Sequence, residues 1–474
     1  MNAFPGHSYG LYTDFYELTM AQAYYFQNLH KKEAVFDYFF RRMPCQSGYV
    51  IFAGLADLLD ALENFTYSDK ELGYLEKQGF QKEFLDYLKD FRFGGDIYAP
   101  LEGEVIFNNE PVVTVKGNIL EVQLIETLLL NFLNFQSLIA TRASRVESVL
   151  QEGKTFVDFG LRRAQGLAGI HASRAAVIGG AAGTSNTLAA EIYGLSVVGT
   201  MAHSWIQATG DELEAFRKYA EIYPEHSVLL IDTYDTLRSG LPNAIKVAKE
   251  LEEKGFRLQG VRIDSGDMAY LSRKVRETLN AEGLEYVKII SSNSLDEFII
   301  RSLNLQGARI DSYGIGTKLV TSYRCPALDG VYKLAVFDGH PRLKISEDVA
   351  KISLPGEKSL WRVYDNGYFY RDAIILAGED INEVQVIYHP DYEFKNTRIS
   401  GLRKENIKHQ VMQNGRPAPV EKDPYIISAY RKKRLSRLSP ESKRFENPHV
   451  YKVGISKKLF DLRKKLINSH LSNG

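Results

Sequence analysis

Cysteine is almost absent from this chain. Its 474 residues include two cysteines, Cys45 and Cys325, which stand far apart. Neither fits the spacing of a metal-binding or redox motif, and two isolated cysteines do not form a disulfide framework. A reducing compartment, the cytoplasm, is therefore the expected location.

Long hydrophobic runs and an excess of one charge are absent as well. No apolar run approaches the ~20 residues that a membrane-spanning helix needs, and the opening MNAFPGHSYG lacks the pattern of a signal peptide. The 59 basic residues equal the 59 acidic ones, which argues against nucleic acid or a membrane surface as a partner. The basic tail from Tyr430 is interpreted as a solvated helix face, with a nucleic-acid patch as the alternative. No Walker A sequence occurs, so a P-loop is not expected.

The spacing of apolar and polar residues divides the chain into three predicted parts. Residues 1–150 mix helical and strand-like segments and predict an N-terminal α/β domain. Residues 151–330 alternate short apolar runs with helical runs, which is typical of βαβ units and a parallel sheet. Residues 331–474 form a C-terminal segment, and strands from 331–400 are candidates to complete the N-terminal domain.

Each apolar run of 151–330 ends in a polar or glycine-rich cluster. Such clusters at the C-terminal ends of about seven parallel strands favour an irregular (β/α) barrel, in which they would face one mouth. An open doubly wound sheet is the alternative. The clusters contain Phe159, Arg162 and Arg163; Ser185 and Asn186; Thr200 and His203; Asp232 and Asp235; Arg262, Asp264 and Asp267; Asn293; Gly316 and Thr317.

The arginines and glycines of these clusters have two interpretations each. A guanidinium fork suits a carboxylate or a phosphate, although most arginines lie at the surface of proteins. The turns GTSN and GIGT could bind an anion through backbone N–H groups or serve as ordinary turns. Because barrels often bind phosphate near their final strands, GIGT with Gly316 and Thr317 favours phosphate.

The acidic clusters DTYD and DSGD each place two aspartates three residues apart, directly after an apolar run. Helix N-capping explains one acid of each pair. The other acid suits Mg²⁺ or the hydroxyls of a ribose. We expect Mg²⁺ on Asp232, Asp264 and Asp267, which together with the arginines indicates a polyphosphate substrate.

His203 has no second histidine at metal-ligand spacing, so a zinc site is not expected. A lone histidine is more often structural than catalytic. Beside phosphate groups, however, imidazole can accept a phosphoryl group as a phosphoramidate or act as an acid or base near neutral pH.

Taken together, these motifs resemble the nicotinate phosphoribosyltransferase family. The N-terminal motif TDFYELTM differs from that of the relatives that use nicotinamide. The matching segments follow in the family's order: LYTDFYELTMAQAYY, DFGLRRA, GTSN, VVGTMAHSWIQA, LLIDTYDT, VRIDSGD, YGIGTKLVTS and VYKL.

The resemblance implies a type II phosphoribosyltransferase barrel with an additional N-terminal α/β domain. It implies transfer of the phosphoribosyl group from 5-phosphoribosyl 1-diphosphate to nicotinate, an entry step of NAD salvage. ATP hydrolysis would be coupled to this transfer through a phosphohistidine at His203, with Asp232 and Asp264 as further catalytic residues. A transferase for nicotinamide or another base, and a catalytically silent regulator, are the competing hypotheses.

The resemblance also assigns residues to ligands. Tyr16, Thr200 and Arg262 match contacts to nicotinate, and Thr317 matches a contact to the phosphoribosyl donor. Members are commonly homodimers in which the N-terminal tyrosine reaches the neighbour's site. By their chemistry, Phe159 would stack on the ring, Arg162 or Arg163 could hold its carboxylate instead of Arg262, and Gly316, Ser185 and Asn186 would bind the donor's phosphates.

Overall fold

The computed structural model describes residues 8–346 and 352–471. The chain forms two compact units. One, called here the discontinuous unit, combines Met1–Thr141 with Ala327–Gly474; the other, the barrel unit, is Arg142–Pro326. No helix within the described ranges is long and apolar enough to cross a membrane.

An antiparallel sheet of seven strands organises the first part of the discontinuous unit. The strand EAVFDYFF lies inside this sheet, and its apolar and aromatic side chains are buried on both faces, except for the half-buried Phe39. A strand from beyond the barrel unit, Gly330–Phe337, pairs with it on one side. The strands run, in spatial order, His340–Pro341, Gly330–Phe337, Glu33–Phe40, Val113–Asn118, Asp96–Ala99, His409–Gln413 and Arg416–Pro417.

A second sheet, of six strands, is built entirely from the C-terminal part of the chain. Its spatial order is Asn396–Arg398, Val386–Tyr388, Val453–Ile455, Tyr368–Leu376, Lys358–Asp365 and Arg403–Asn406. The strands Val50–Ile51 and Val105–Ile106 form a separate pair. The helices of the discontinuous unit are Tyr9–Leu11, Phe15–Phe26, Pro44–Gln46, Leu55–Glu63, Asp69–Lys77, Lys82–Lys89, Ile119–Leu124, Pro424–Ser436 and Lys457–Leu471. The helix Glu126–Ser148 begins in this unit and ends in the barrel unit.

The first long helix, Phe15–Phe26, follows Asp14 and carries Glu17 in its first turn, which is the sequence pattern of a capping box, but the box is not formed. Asp14 stands at the N-cap but accepts no capping hydrogen bond through its side chain. Glu17 is fully buried, and its carboxylate accepts hydrogen bonds from the backbone N–H of Thr127 at 3.0 Å and from its hydroxyl at 2.5 Å. The same carboxylate also accepts from the hydroxyl of Thr13, so a tertiary partner is added to a local one. Burial raises the pKa of Glu17 to about 7.

The basic tail is a solvated face only in part, because its lysines, such as Lys432 and Lys433, are exposed whereas several of its arginines are not. Arg431, Arg434 and Arg463 are buried. Arg434 forms ion pairs with Glu104 at 2.7 Å and Glu405 at 3.1 Å. These two glutamates lie far from Arg434 in the sequence. The basic composition of the tail therefore does not predict the ion pairs.

The barrel unit confirms the predicted alternation of strands and helices. Five parallel strands lie in the order Thr155–Asp158, Ser312–Ile315, Lys288–Ser291, Gly260–Ile263 and Val228–Leu230. Beyond the first strand, parallel pairing continues through single bridges from Asp158 to Thr184 and from Thr184 to Val197. The sheet is therefore an irregular (β/α) barrel, in which two of seven positions are reduced to one bridging residue.

Helices follow nearly every strand and bury their apolar faces against the sheet. Leu229 and Val261 on the strands share one core with Ala248 and Leu279 on the helices. Burial of each leucine or valine side chain contributes ~1.5–3 kcal/mol to stability. The helical segments are Leu161–Arg163, Ala168–Ile178, Thr187–Tyr193, His203–Thr209, Glu212–Ile222, Thr236–Gly240, Leu241–Glu253, Met268–Ala281, Glu297–Leu305 and Thr317–Val320.

Candidate active site

The end of the strand Thr155–Asp158 is organised around a buried carboxylate. Asp158 accepts hydrogen bonds from the hydroxyls of Ser173 and Thr184 and from the backbone N–H of Gly160, each at 2.8 Å. Burial raises the pKa of Asp158. Asp158 therefore fixes the turn of Gly160 and the GTSN turn next to each other.

The two predicted donor-binding residues of the GTSN turn, Ser185 and Asn186, differ in exposure. Asn186 is buried: its side-chain carbonyl caps the helix Thr187–Tyr193, and its amide donates to the carbonyl of Gly169 at 3.1 Å. Ser185 is exposed. The turn therefore offers a ligand its backbone and Ser185, whereas the Asn186 side chain holds the turn in place.

Arg262 is the centre of a polar cluster beyond the strand Gly260–Ile263. Its Nη1 donates to the hydroxyl of Thr200 at 2.7 Å, its Nε donates to Ser292 at 3.0 Å, and its Nη2 lies 3.4 Å from Asp264. Its guanidinium lies 5.9 Å from the centre of the Phe159 ring. The fold thus brings together Arg262, Thr200 and Phe159, three of the predicted nicotinate contacts, from three separate segments.

Two of the predicted acids, Asp232 and Asp264, lie next to each other, and Asp264 is the one beside Arg262. Asp232 Oδ2 accepts from the backbone N–H of Asp264 at 3.0 Å and from the Ser265 hydroxyl at 2.6 Å. Its other oxygen, Oδ1, is buried and has no hydrogen-bond partner among the described residues. Asp264 in turn accepts from the Ser292 hydroxyl at 2.5 Å. Asp232 therefore carries an acceptor atom that the fold itself leaves unused.

The second acid of each pair caps a helix, as predicted for one acid per pair. Asp235 accepts from the backbone N–H groups of Leu237 and Arg238 at 3.1 and 2.8 Å. Asp267 accepts from that of Tyr270 at 3.0 Å. In the described ranges no group of three or more His, Cys, Asp or Glu residues is arranged to hold a metal ion.

His203 begins the helix His203–Thr209 and is half-buried. Its Nδ1 lies 3.0 Å from the hydroxyl of Thr233, the residue after Asp232. The ring is therefore held by a polar contact at the strand ends, close in sequence to Thr200, rather than enclosed in an apolar core.

The GIGT turn packs closely on Phe159, which explains its glycines. A Cβ atom at Gly314 would lie 2.5 Å from the Phe159 ring, and one at Gly316 would lie 2.9 Å from the Phe159 carbonyl oxygen. Thr317 is exposed at the start of a four-residue helical turn. Gly316 and Thr317 thus lie beside the aromatic ring that Arg262 faces.

The remaining predicted residues, Arg162, Arg163 and Tyr16, are exposed. Arg162 and Arg163 are exposed in the turn after Phe159, and neither has an ion pair within the described part of the chain. Tyr16 belongs to the discontinuous unit and is 46% exposed. Partial burial of its hydroxyl and the nearby carboxylate of Glu126 raise the pKa of Tyr16.

Three residues that the sequence did not single out connect the site. Ser292 links Arg262 to Asp264, Thr233 holds His203, and Asp158 fixes two turns. All three stand beside the ends of apolar runs, which was the available signal. Hydroxyls and carboxylates are common there, however, and only their partners distinguish these three.

A barrel of this strand order, with an arginine, a histidine and paired acids at its strand ends, defines a type II phosphoribosyltransferase fold. It is similar to the crystal structure of a nicotinate-nucleotide pyrophosphorylase from Pyrococcus furiosus, at a TM-score of 0.70 and 24% identity over 90% of this chain and 95% of that one. Human nicotinic acid phosphoribosyltransferase matches at a TM-score of 0.85 and 30% identity, over 96% of this chain and 99% of that one.

Matches to models of protein families identify the family within this class. Three models match: the nicotinate phosphoribosyltransferase N-terminal domain at residues 11–134, the family model at 154–368 and the C-terminal domain at 357–463. The nicotinate phosphoribosyltransferase of Bacillus subtilis is 40% identical over 463 residues, 96% of this chain and 94% of that protein. The human enzyme of that name is 32% identical over 523 residues, 97% of this chain and 96% of that protein. The chain belongs to the nicotinate phosphoribosyltransferase family.

Proposed function

We propose that this protein transfers the phosphoribosyl group from 5-phosphoribosyl 1-diphosphate to nicotinate, with ATP hydrolysis coupled through a phosphohistidine at His203. The products are nicotinate mononucleotide and diphosphate, and the step belongs to NAD salvage in the cytoplasm. Support comes from the names of the relatives and from one structural observation: Arg262 is oriented by Thr200 and Ser292 toward the ring of Phe159.

Nicotinate is a flat ring with a carboxylate, and the Arg262 cluster suits both parts. The guanidinium can pair with the carboxylate, which favours the acid over the neutral amide. The Phe159 ring can stack on the pyridine, a contact of ~0.5–1.5 kcal/mol. Arg162 or Arg163 is the alternative partner of the carboxylate. In a homodimer, Tyr16 of the neighbouring subunit would supply a second ring.

The phosphoribosyl donor is assigned to the exposed turns around Phe159. Ser185, Gly316 and Thr317 offer hydroxyls and backbone N–H groups, which suit phosphate oxygens. Asn186 acts through the turn that it caps, because its amide is already used. Donor binding is thus proposed to rest on two turns that Asp158 and Phe159 hold in place.

Mg²⁺ fits Asp232 and Asp264 better than the full set of three aspartates. The unpartnered Oδ1 of Asp232 is a free acceptor, whereas the Asp267 carboxylate caps a helix. Mg²⁺ is commonly held by one or two carboxylates together with water and substrate phosphates. When bound, the ion would neutralise charge on the departing diphosphate.

The contact between His203 and Thr233 suits a phosphoryl acceptor. If the Nδ1–H of His203 donates to the Thr233 oxygen, the lone pair of Nε2 is free. Nε2 would attack the γ-phosphorus of ATP, forming the N–P bond as the bond to the bridging oxygen breaks and ADP leaves. Water then hydrolyses the phosphoramidate and releases phosphate.

One product assay tests the transfer: nicotinate, 5-phosphoribosyl 1-diphosphate and Mg²⁺, with and without ATP. We expect nicotinate mononucleotide, with a faster rate or higher yield when ATP is present. Preference for nicotinamide over nicotinate would reject the carboxylate assignment. No product under any condition would leave the silent regulator as the better hypothesis.

Phosphorylation is tested separately by intact-mass measurement. We expect a gain of one phosphoryl group with ATP that disappears in His203→Ala. His226→Ala is the matched control, because His226 is an exposed histidine of the same unit. A phosphoryl group that persists in His203→Ala would place the acceptor elsewhere.

A further inference from the structure

A large cavity lies within the discontinuous unit and contains none of the residues assigned to the reaction. Its volume is about 910 Å³, within the range of small-molecule sites, ~300–1,000 Å³. The wall includes the strand Val386–Tyr388 and the loop after it, and residues before the helix Lys457–Leu471. Distant segments of the chain therefore enclose one space.

Positive charge dominates the wall. Among the residues that the structure describes, seven basic side chains and two carboxylates line the cavity. The basic residues are Lys333, Lys358, Arg371, Lys395, Arg444, Lys452 and Arg463, and the acidic residues are Asp37 and Asp391.

Ion pairs neutralise only some of these cations. Lys358 pairs with Asp37 at 2.8 Å and Arg463 pairs with Asp391 at 2.9 Å, while Lys333 lies 3.8 Å from Glu126, a residue outside the wall. The other four, Arg371, Lys395, Arg444 and Lys452, have no carboxylate within ion-pair distance among the described residues. Gathered like charges repel one another, so this wall favours a ligand with several negative charges.

Two guanidinium nitrogens support the same conclusion. The Nε atoms of Arg371 and Arg463 are buried without a hydrogen-bond partner in the described ranges, and Arg463 is 6% exposed. Buried donors are rarely left unpaired in folded proteins. An anion in the cavity would offer oxygens to such donors.

Aromatic side chains complete the lining. Tyr388 and His389 form part of the wall, and Phe394 lies in it with 78% of its surface exposed. Exposed aromatic faces stack on flat rings. We propose that this cavity is a second ligand site, which binds a nucleoside polyphosphate: the phosphates contact Arg371 and Lys452, and the base contacts Tyr388 or Phe394.

Photolabelling of the whole protein with 8-azido-ATP, followed by peptide mapping, tests this site. We expect label on residues 387–397, and ATP added as a competitor removes it. Label at His203 or elsewhere in 142–326 reports the proposed reaction site, so the two proposals fail independently. Label confined to 142–326 would overturn the second site.

Charge variants show whether the cavity itself binds the phosphates. Lys452→Glu changes an exposed residue of the wall, and Lys432→Glu makes the same change at an exposed lysine outside it. We expect the apparent Kd of the 387–397 site to rise at least about tenfold in Lys452→Glu and in Arg371→Met, because each loses a charge-assisted contact. Lys432→Glu is expected to bind like the unmodified protein. Unchanged labelling in both wall variants would overturn the proposal.

Competition separates the two parts of the ligand. ATP is expected to displace the label at lower concentration than inorganic tripolyphosphate, and tripolyphosphate at lower concentration than adenosine. Equal competition by ATP and tripolyphosphate would overturn the role of the aromatic wall and with it the assignment to a nucleotide.

Discussion

Replacing Thr233 with valine removes one hydroxyl beside His203 and changes little else. Valine has nearly the shape of threonine, and the lost contact is the 3.0 Å hydrogen bond to Nδ1 of His203. Without that acceptor, the imidazole is free to place its proton on Nε2, which blocks the nitrogen that we assign as nucleophile. The ring also loses the contact that fixes its orientation.

The magnitude follows from the energy of one such hydrogen bond. A net loss of ~0.5–1.5 kcal/mol corresponds to a fall of about 2- to 13-fold in the rate of phosphohistidine formation. The KM for nicotinate is expected to stay nearly constant, because Arg262 is held by Thr200 and Ser292 and not by Thr233.

Rapid-quench measurement of γ-phosphoryl transfer from labelled ATP provides the assay. Thr233→Ser keeps the hydroxyl and is expected to restore most of the rate. Thr209→Val is the control, since it removes an exposed hydroxyl from the helix that carries His203, and that hydroxyl donates to the Trp205 carbonyl. A normal rate in Thr233→Val, or a serine variant as slow as the valine variant, would refute the role given to this hydrogen bond.

Three further outcomes are expected. Arg262→Ala raises the KM for nicotinate about 13- to 160-fold, since a charge-assisted pair contributes ~1.5–3 kcal/mol, while phosphorylation of His203 is partly retained; an unchanged KM in steady-state assays would assign the carboxylate to another arginine. Thr317→Val lowers the affinity for the phosphoribosyl donor about 2- to 13-fold, because one hydrogen bond of ~0.5–1.5 kcal/mol is lost. Calorimetric titration measures this affinity, and an unchanged value would place the phosphate site elsewhere. The pKa of Glu17 is raised from 4.5 to about 7, so the folded state holds its proton more tightly and loses stability as pH rises from 4.5 to 7. The loss in free energy of unfolding across that window is up to about 3 kcal/mol, and Glu17→Gln is expected to remove it, so that Tm falls less between pH 4.5 and 7. Identical profiles of Tm against pH for the variant and the unmodified protein would contradict the buried-acid assignment.

Much of the barrel was predictable because its signals are local. Apolar runs of four or five residues followed by helical periods indicate βαβ units, and the helical run that follows DSGD forms the helix Met268–Ala281 in the structure. Capping is local too, since it joins residues two or three positions apart. Asp235 and Asp267 therefore acted as caps, as expected for one acid of each pair.

Partners at long sequence distance were not predictable. Glu17 stands where a capping acid would, but the capping box is not formed. Its carboxylate binds Thr127 of another helix as well as the nearby Thr13, and the contact to Thr127 was not predictable. The arginines of the C-terminal tail look solvated in sequence, yet Arg434 is buried against Glu104 and Glu405. Amino-acid composition and hydrophobic periodicity do not indicate which distant carboxylate forms an ion pair with which arginine.

The sequence by itself determined which residue types follow each strand, because strand and helix periods are read from neighbouring positions. Only the tertiary structure decided that Arg262 meets Thr200 and Ser292, and that His203 meets Thr233. Those contacts join segments some thirty to sixty residues apart, and their existence depends on strand order and register. Register is set by the packing of the whole barrel core, which no local pattern encodes.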